Sequence, residues 1–157
     1  MPVVDHYSIC EDAIVTLLKD KLLDFIKPAT KDVQVTKSDL TVLGRGHDYF
    51  AVLFPGTFQS ARLAARIQVT TWTVFVDLFV RYKTEAISWA NFKAYRAATY
   101  DLLRLYANLN GAQGVRDSFL SAVGEPLYFN SRGNPDAGPV FVSQRLSVTV
   151  EQIVNRT

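Results

Sequence analysis

Residues 65–82 read ARIQVTTWTVFVDLFVRY, and this stretch decides the fold class. Ile67 and Val69 alternate with Gln68 and Thr70; Trp72, Val74, Val76, Leu78, Val80 and Tyr82 then fall on one parity. Thr73, Phe75, Asp77, Phe79 and Arg81 occupy the other. A period of two with β-branched and aromatic residues is the pattern of a strand with one buried face. The change of parity near Thr70–Thr71 predicts a bulge or bend, and the length allows a bent strand or a tight hairpin. The second face mixes Phe75 and Phe79 with Asp77 and Arg81, so one face belongs to the core and the other is free to meet a neighbouring subunit.

Helices flank this strand region. Upstream, Ser8 and Glu11 fit a capping box, and Ile14, Leu17, Leu18, Leu22 and Phe25 recur at helical spacing before Pro28 ends the pattern. Downstream, a second amphipathic helix is predicted from Glu85 or Ser88 to Ala107, with Trp89, Phe92, Thr99, Leu102, Leu103 and Tyr106 on its apolar side. Asn108–Gly114 closes it.

The remaining segments are strand-like. Val33, Val35, Leu40 and Val42 predict a strand region interrupted near Ser38, followed by a turn at Gly44-Arg45-Gly46. Tyr49–Phe54 is a short strand, and Pro55-Gly56 is expected to start a hairpin turn or open a loop through Ser60. Residues 115–123 fit a helical turn or a strand. Glu125–Phe129 and Val140–Ile153 are strands separated by the loop Asn130–Pro139. The order is α-β-β-β-α-(short turn or helix)-β-β. This predicts an α+β fold, with a mostly antiparallel mixed sheet packed against two helices. The 157 residues suit a single domain, 1–157.

Composition narrows the chemistry. A net charge of +2 does not point to nucleic acid, and a single cysteine excludes an internal disulfide framework or a multi-cysteine zinc site. No apolar run is long enough for a membrane helix, and the acidic start is wrong for a signal peptide. The expectation is a soluble protein made inside the cell. Ten Phe, seven Tyr and two Trp are a rich aromatic set for one domain, a hint of an oligomer.

No phosphate-loop, dinucleotide, nucleophile-elbow or zinc-protease motif is present. Gly44-Arg45-Gly46-His47 is only a fragment of a phosphate loop. Cys10 with His6 is a conceivable nucleophile pair, though a half-buried structural cysteine is the plainer reading. His47 and Asp48, adjacent in a strand, point to opposite faces. Asn134 and Asp136 are too few for a cation site. Asp77 in an apolar strand requires a partner, with Arg81 and Arg66 as the candidates. Basic residues are dispersed among Arg62, Arg66, Lys93, Arg96 and Arg104, without an RNA- or DNA-binding signature.

The sequential arrangement is more informative than any motif. A capped N-terminal helix, strands ending in WTVFVDLFVRY, the helix SWANFKAYRAATYDLLRLY, a late loop and the terminal strand VFVSQRLSVTVEQI follow one another. Over roughly residues 8–153 this resembles the tail-terminator (tail-completion) and neck proteins of long-tailed bacteriophages. The resemblance implies a structural virion protein located in the tail or neck. It implies a homo-oligomer, a cyclic hexamer, that caps the tail tube and joins it to the head–tail connector or adaptor, with DNA able to pass through the ring. It implies no enzymatic activity, cofactor, metal, membrane or sequence-specific nucleic acid. Phe75, Asp77, Phe79, Arg81 and Arg66 would then lie at the subunit interface. The loop residues Ser131, Arg132, Gly133, Asn134, Pro135 and Asp136 would contact tube or connector. A head-closure or tail-adaptor role is the nearest alternative. A small enzyme or ligand-binding domain is the other, and it would require His47, Asp77 and Cys10 to gather around a pocket.

Overall fold

The computed structural model describes residues 3–22, 34–38, 49–130 and 139–155. Helix α1 spans His6–Lys21, and its cap lies three residues upstream of the expected one. Asp5 is the N-cap. Its carboxylate accepts the Ser8 N–H at 3.0 Å and the Ser8 hydroxyl at 2.7 Å. A carboxylate satisfies an orphan amide and also suits the positive end of the helix dipole. These bonds hold Asp5 below the usual carboxylate range. Glu11, expected to close the capping box, is instead buried and accepts the Tyr7 hydroxyl at 2.7 Å. Ile14, Leu17, Leu18 and Leu22 form the buried stripe as expected, whereas Phe25 and Pro28 lie outside the described residues.

Helix α2 spans Glu85–Leu105, with the Thr84 hydroxyl capping the Ile87 N–H at 3.3 Å. Ser88, the other proposed start, lies one turn inside, where its buried hydroxyl accepts the Lys83 N–H. After α2 the chain reverses through left-handed residues Leu109, Asn110 and Gly111. Leu109 adopts this unfavourable conformation while burying its side chain in the core.

The strands are β1 Gln34–Lys37, β2 Tyr49–Ala64, β3 Ile67–Arg81, β4 Val115–Val123, β5 Leu127–Asn130 and β6 Pro139–Asn155. They form one sheet in the order β1-β2-β3-β6-β4, with β5 also paired to β6. Only β1 and β2 run parallel. Both helices pack on one face, so the fold is α+β with a mostly antiparallel mixed sheet against two helices. The 115–123 segment is a strand, and the order becomes α-β-β-β-α-β-β-β. Of the first strand region, Val35 is buried in β1, while Val33, Leu40, Val42 and the Gly44–Gly46 turn lie outside the described residues.

The expected bulge at Thr70–Thr71 does not form. β3 pairs with β6 without interruption from Ile67↔Asn155 to Arg81↔Phe141. Thr70, Val74, Val76, Leu78 and Val80 are buried on the helix side, so one parity persists and Ile67 and Val69 belong to the opposite face. The irregularities sit in β2, where register shifts occur at Pro55–Phe58 and Arg62–Ala64. Pro55-Gly56 is therefore a bulge inside a long strand, the one interior position that tolerates a proline. A Cβ at Gly56 would stand 2.5 Å from the Thr73 carbonyl oxygen, so close backbone approach requires the glycine. The hairpin turn comes ten residues later, at Ala65–Arg66.

The core lies between sheet and helices. It joins Cys10, Ile14 and Leu18 of α1 and Phe92, Tyr95 and Leu102 of α2 to the inward residues of β2, β3 and β6. Tyr95 is fully buried and its hydroxyl donates to the Phe50 carbonyl at 3.0 Å, locking α2 to β2. Among the described residues no helix is long and apolar enough to cross a membrane.

Candidate interaction surface

The face of the sheet opposite the helices carries the odd-numbered residues of β3. Strand register aligns them across three strands. Phe79 stands between Phe50 and Ser143, Asp77 between Val52 and Arg145, and Phe75 between Phe54 and Ser147. Phe50, Val52, Phe79 and Phe141 form a second apolar cluster, separate from the main core, with Phe54 against it. The Phe50 and Phe141 rings meet edge to face at 5.6 Å, a favoured aromatic geometry.

Two arginines lie over these rings. The Arg81 guanidinium sits 5.2 Å from the centre of Phe141. The Arg145 guanidinium sits 4.7 Å from Phe75 and 5.8 Å from Phe54, and it donates to both carboxylate oxygens of Asp77 at 2.7 and 3.0 Å. The bond to Asp77 raises the Arg145 pKa. The Asp77 side chain is largely covered, while the Arg145 side chain keeps about half its surface in water. The result is a cluster of aromatic rings and arginine in which Phe50, Phe79 and Phe141 are buried and Phe54, Phe75 and Arg145 reach the surface, a composition enriched at protein interfaces.

Asp77 thus takes Arg145, not Arg81 or Arg66. Four residues along a strand separate side chains by about 13 Å, so the i+4 spacing that joins side chains on a helix does not join Asp77 to Arg81. Arg145 is its directly opposed cross-strand neighbour. Arg66 is exposed at the hairpin tip, about 35 Å away along β3. Phe75, Asp77, Phe79 and Arg81 share one face, and Arg66 does not join them. The residues missed from sequence were Phe54, Phe141 and Arg145. The shared parity of Phe141 and Arg145 in β6 was visible, but their juxtaposition with Phe75 and Asp77 depends on register.

Ser131, Arg132, Gly133, Asn134, Pro135 and Asp136 lie outside the described residues. Asn130 and Pro139 pair on either side of them, so this segment connects β5 to β6. His47, Asp48 and the Gly44–Gly46 turn also lie outside. Cys10 is completely buried among helix-side core residues, and burial pushes its thiol up to about 12. It is fully rather than half buried, and it faces away from Asp77 across the sheet, so these two members of the enzyme alternative are not brought to one site. Among the described residues no three His, Cys, Asp or Glu side chains group to hold a metal.

Beyond Phe54, β2 stays paired to β3, which is paired in turn to β6, and no strand lies on the outer side of β2 among the described residues. Phe58 and Leu63 on this part of β2 are each 62% exposed. The two arginines of α2 are engaged locally: Arg96 donates to Gln144, and Arg104 pairs with Asp101. No protein family matches this chain, and no curated protein matches it at significance.

Proposed function

We propose that this chain is a ring-forming structural protein of the phage tail-terminator kind, built into the tail or neck of the virion. The supporting observation is the patch of Phe54, Phe75, Phe79, Phe141, Arg81 and Arg145 on the helix-free face of the sheet. Phe79 and Phe141 are buried while Phe54, Phe75 and Arg145 stay partly exposed, and rings stacked with arginine suit a protein partner better than a small substrate. In this reading copies of the chain assemble as a cyclic hexamer with the patch at or near the subunit boundary. The Ser131–Asp136 segment meets the tail tube or connector, and DNA passes through the ring. No cofactor takes part.

Light scattering over a range of concentrations, with electron microscopy of the protein mixed with tail tubes, tests this. Closed rings seated on tube ends are expected. Rings that bind the connector but leave tube ends bare would shift the role to head closure. A monomer at every concentration that decorates neither structure would refute the proposal.

A further inference from the structure

The turn that follows α2 holds the chain's single Asn-Gly pair, Asn110-Gly111. The Gly111 N–H donates to the Asn108 carbonyl at 3.2 Å, and the two residues between them, Leu109 and Asn110, have φ of 52° and 59°. Two successive left-handed residues are the pattern of a type I′ turn, which suits asparagine and glycine and strains leucine. Asn110 and Gly111 are both exposed. A Cβ at Gly111 would have no atom within 4 Å, so nothing crowds that side of the backbone.

An asparagine side-chain carbonyl lies within ring-closing reach of the next residue's amide nitrogen. A side chain on that next residue shields the nitrogen, and glycine has none. The other asparagines lack this arrangement. Asn91, Asn108, Asn130 and Asn155 precede Phe92, Leu109, Ser131 and Arg156, and Asn134 precedes Pro135, whose nitrogen bears no hydrogen. Asn91 is in addition held within α2. Ring closure at Asn110 requires the Gly111–Asn108 hydrogen bond to break, which opens only the turn 108–111, and the strain at Leu109 favours that opening.

We infer that Asn110 is a site of self-modification, in which the Gly111 amide nitrogen displaces the side-chain nitrogen of Asn110 and the product is aspartate or isoaspartate. The Gly111 nitrogen gives its proton to water and bonds to Cγ of Asn110. The bond from Cγ to Nδ2 breaks, and Nδ2 takes up a proton and leaves as ammonia. Water then opens the succinimide ring. Attack at Cγ gives aspartate, whereas attack at the main-chain carbonyl carbon gives isoaspartate, with the chain running through Cβ and Cγ. One water is consumed and one ammonia released, with no change of oxidation state. A neutral amide becomes a carboxylate, which lowers the formal net charge of +2 by one. The new carboxylate borders the groove of about 260 Å³ between this turn and α1, which Asp12 and Asp20 already line. The reaction needs no partner, so it is independent of the ring reading.

Incubation of the purified protein at mildly alkaline pH, followed by trypsin digestion and mass spectrometry, tests this. Cleavage after Arg104 and Arg116 isolates residues 105–116, LYANLNGAQGVR. This peptide is expected to lose its unmodified form before any other asparagine-containing peptide. It should gain one mass unit at Asn110 and split into aspartyl and isoaspartyl forms, the second of which accepts a methyl group from an isoaspartate-specific methyltransferase. On ion exchange the aged protein is expected to move to the position of the Asn110→Asp variant, while Asn110→Gln keeps its original position over the same period. An Asn110 still intact in the folded protein after the urea-unfolded chain has converted fully would overturn the inference, because the turn would then protect the site. Conversion of another asparagine ahead of Asn110, or aspartate formed without isoaspartate, would overturn it as well.

Discussion

Removing either partner of the Asp77–Arg145 pair should cost different amounts, and the asymmetry follows from exposure. The Asp77 side chain is 14% exposed and that of Arg145 48%. In Asp77→Ala the guanidinium loses two hydrogen bonds but keeps its water and its stacking on Phe54 and Phe75. That loss should be about 1 kcal/mol, near the upper end for an exposed pair. In Arg145→Ala a mostly covered carboxylate loses its partner, and the Phe75 ring loses its cation. An unsatisfied polar group and a lost cation–π contact together give about 2–3 kcal/mol. Both single variants and the double variant should be melted in urea. For a chain of this size each 1 kcal/mol also lowers Tm by about 2–4 °C. The double-mutant cycle should return a coupling of about 1 kcal/mol, since the residues touch. A coupling below about 0.3 kcal/mol, or an Asp77→Ala variant at least as damaged as Arg145→Ala, would refute the claim that this pair is a half-buried bidentate bridge.

Gly56→Ala would place a methyl 2.5 Å from the Thr73 carbonyl oxygen, so it should cost about 1–3 kcal/mol, and hydrogen exchange should locate the loosening in the β2–β3 pairing around the bulge. Tyr95→Phe strips the Phe50 carbonyl of a buried donor and should cost about 1–2 kcal/mol in a denaturant melt. Stability should also fall at alkaline pH. Burial raises Cys10 from 9.0 to about 12 and raises Tyr7 and Tyr95 as well. Above pH 9.0 the unfolded thiol loses its proton while the folded one keeps it up to about 12, so the contribution present below pH 9.0 is lost as pH rises. For Cys10 alone the slope is at most about 1.4 kcal/mol per pH unit, and Cys10→Ala should remove that part of the slope. The same burial predicts that a thiol reagent at pH 8 labels Cys10 only after denaturant is added, and rapid labelling of the native protein would contradict it.

The sequence by itself determined the two helices, most of the strands and the faces of residues 72–82. Alternation in residues 72–82 and helical spacing in Ile14, Leu17, Leu18 and Leu22 reflect which side of a local element is dry, and that information is carried by neighbours in the chain. It sufficed for the α+β class, for two helices on one side of an antiparallel sheet, and for a second sheet face holding Phe75, Asp77, Phe79 and Arg81. Local signals were less secure where two residues compete for one role, as when Asp5 capped α1 in place of Ser8. They were misleading at Pro55-Gly56, because a bulge requires the same residues as a turn and only the continuing partner strand β3 distinguishes them. The tertiary structure alone decided what crosses between strands. Asp77 meets Arg145 because β3 and β6 pair in one register, and a shift of a single residue would turn Arg145 to the opposite face. The edge positions of β4 and of the outer part of β2 are likewise properties of strand order. Strand order arises from contacts between residues far apart in sequence, and no periodicity within a segment encodes it.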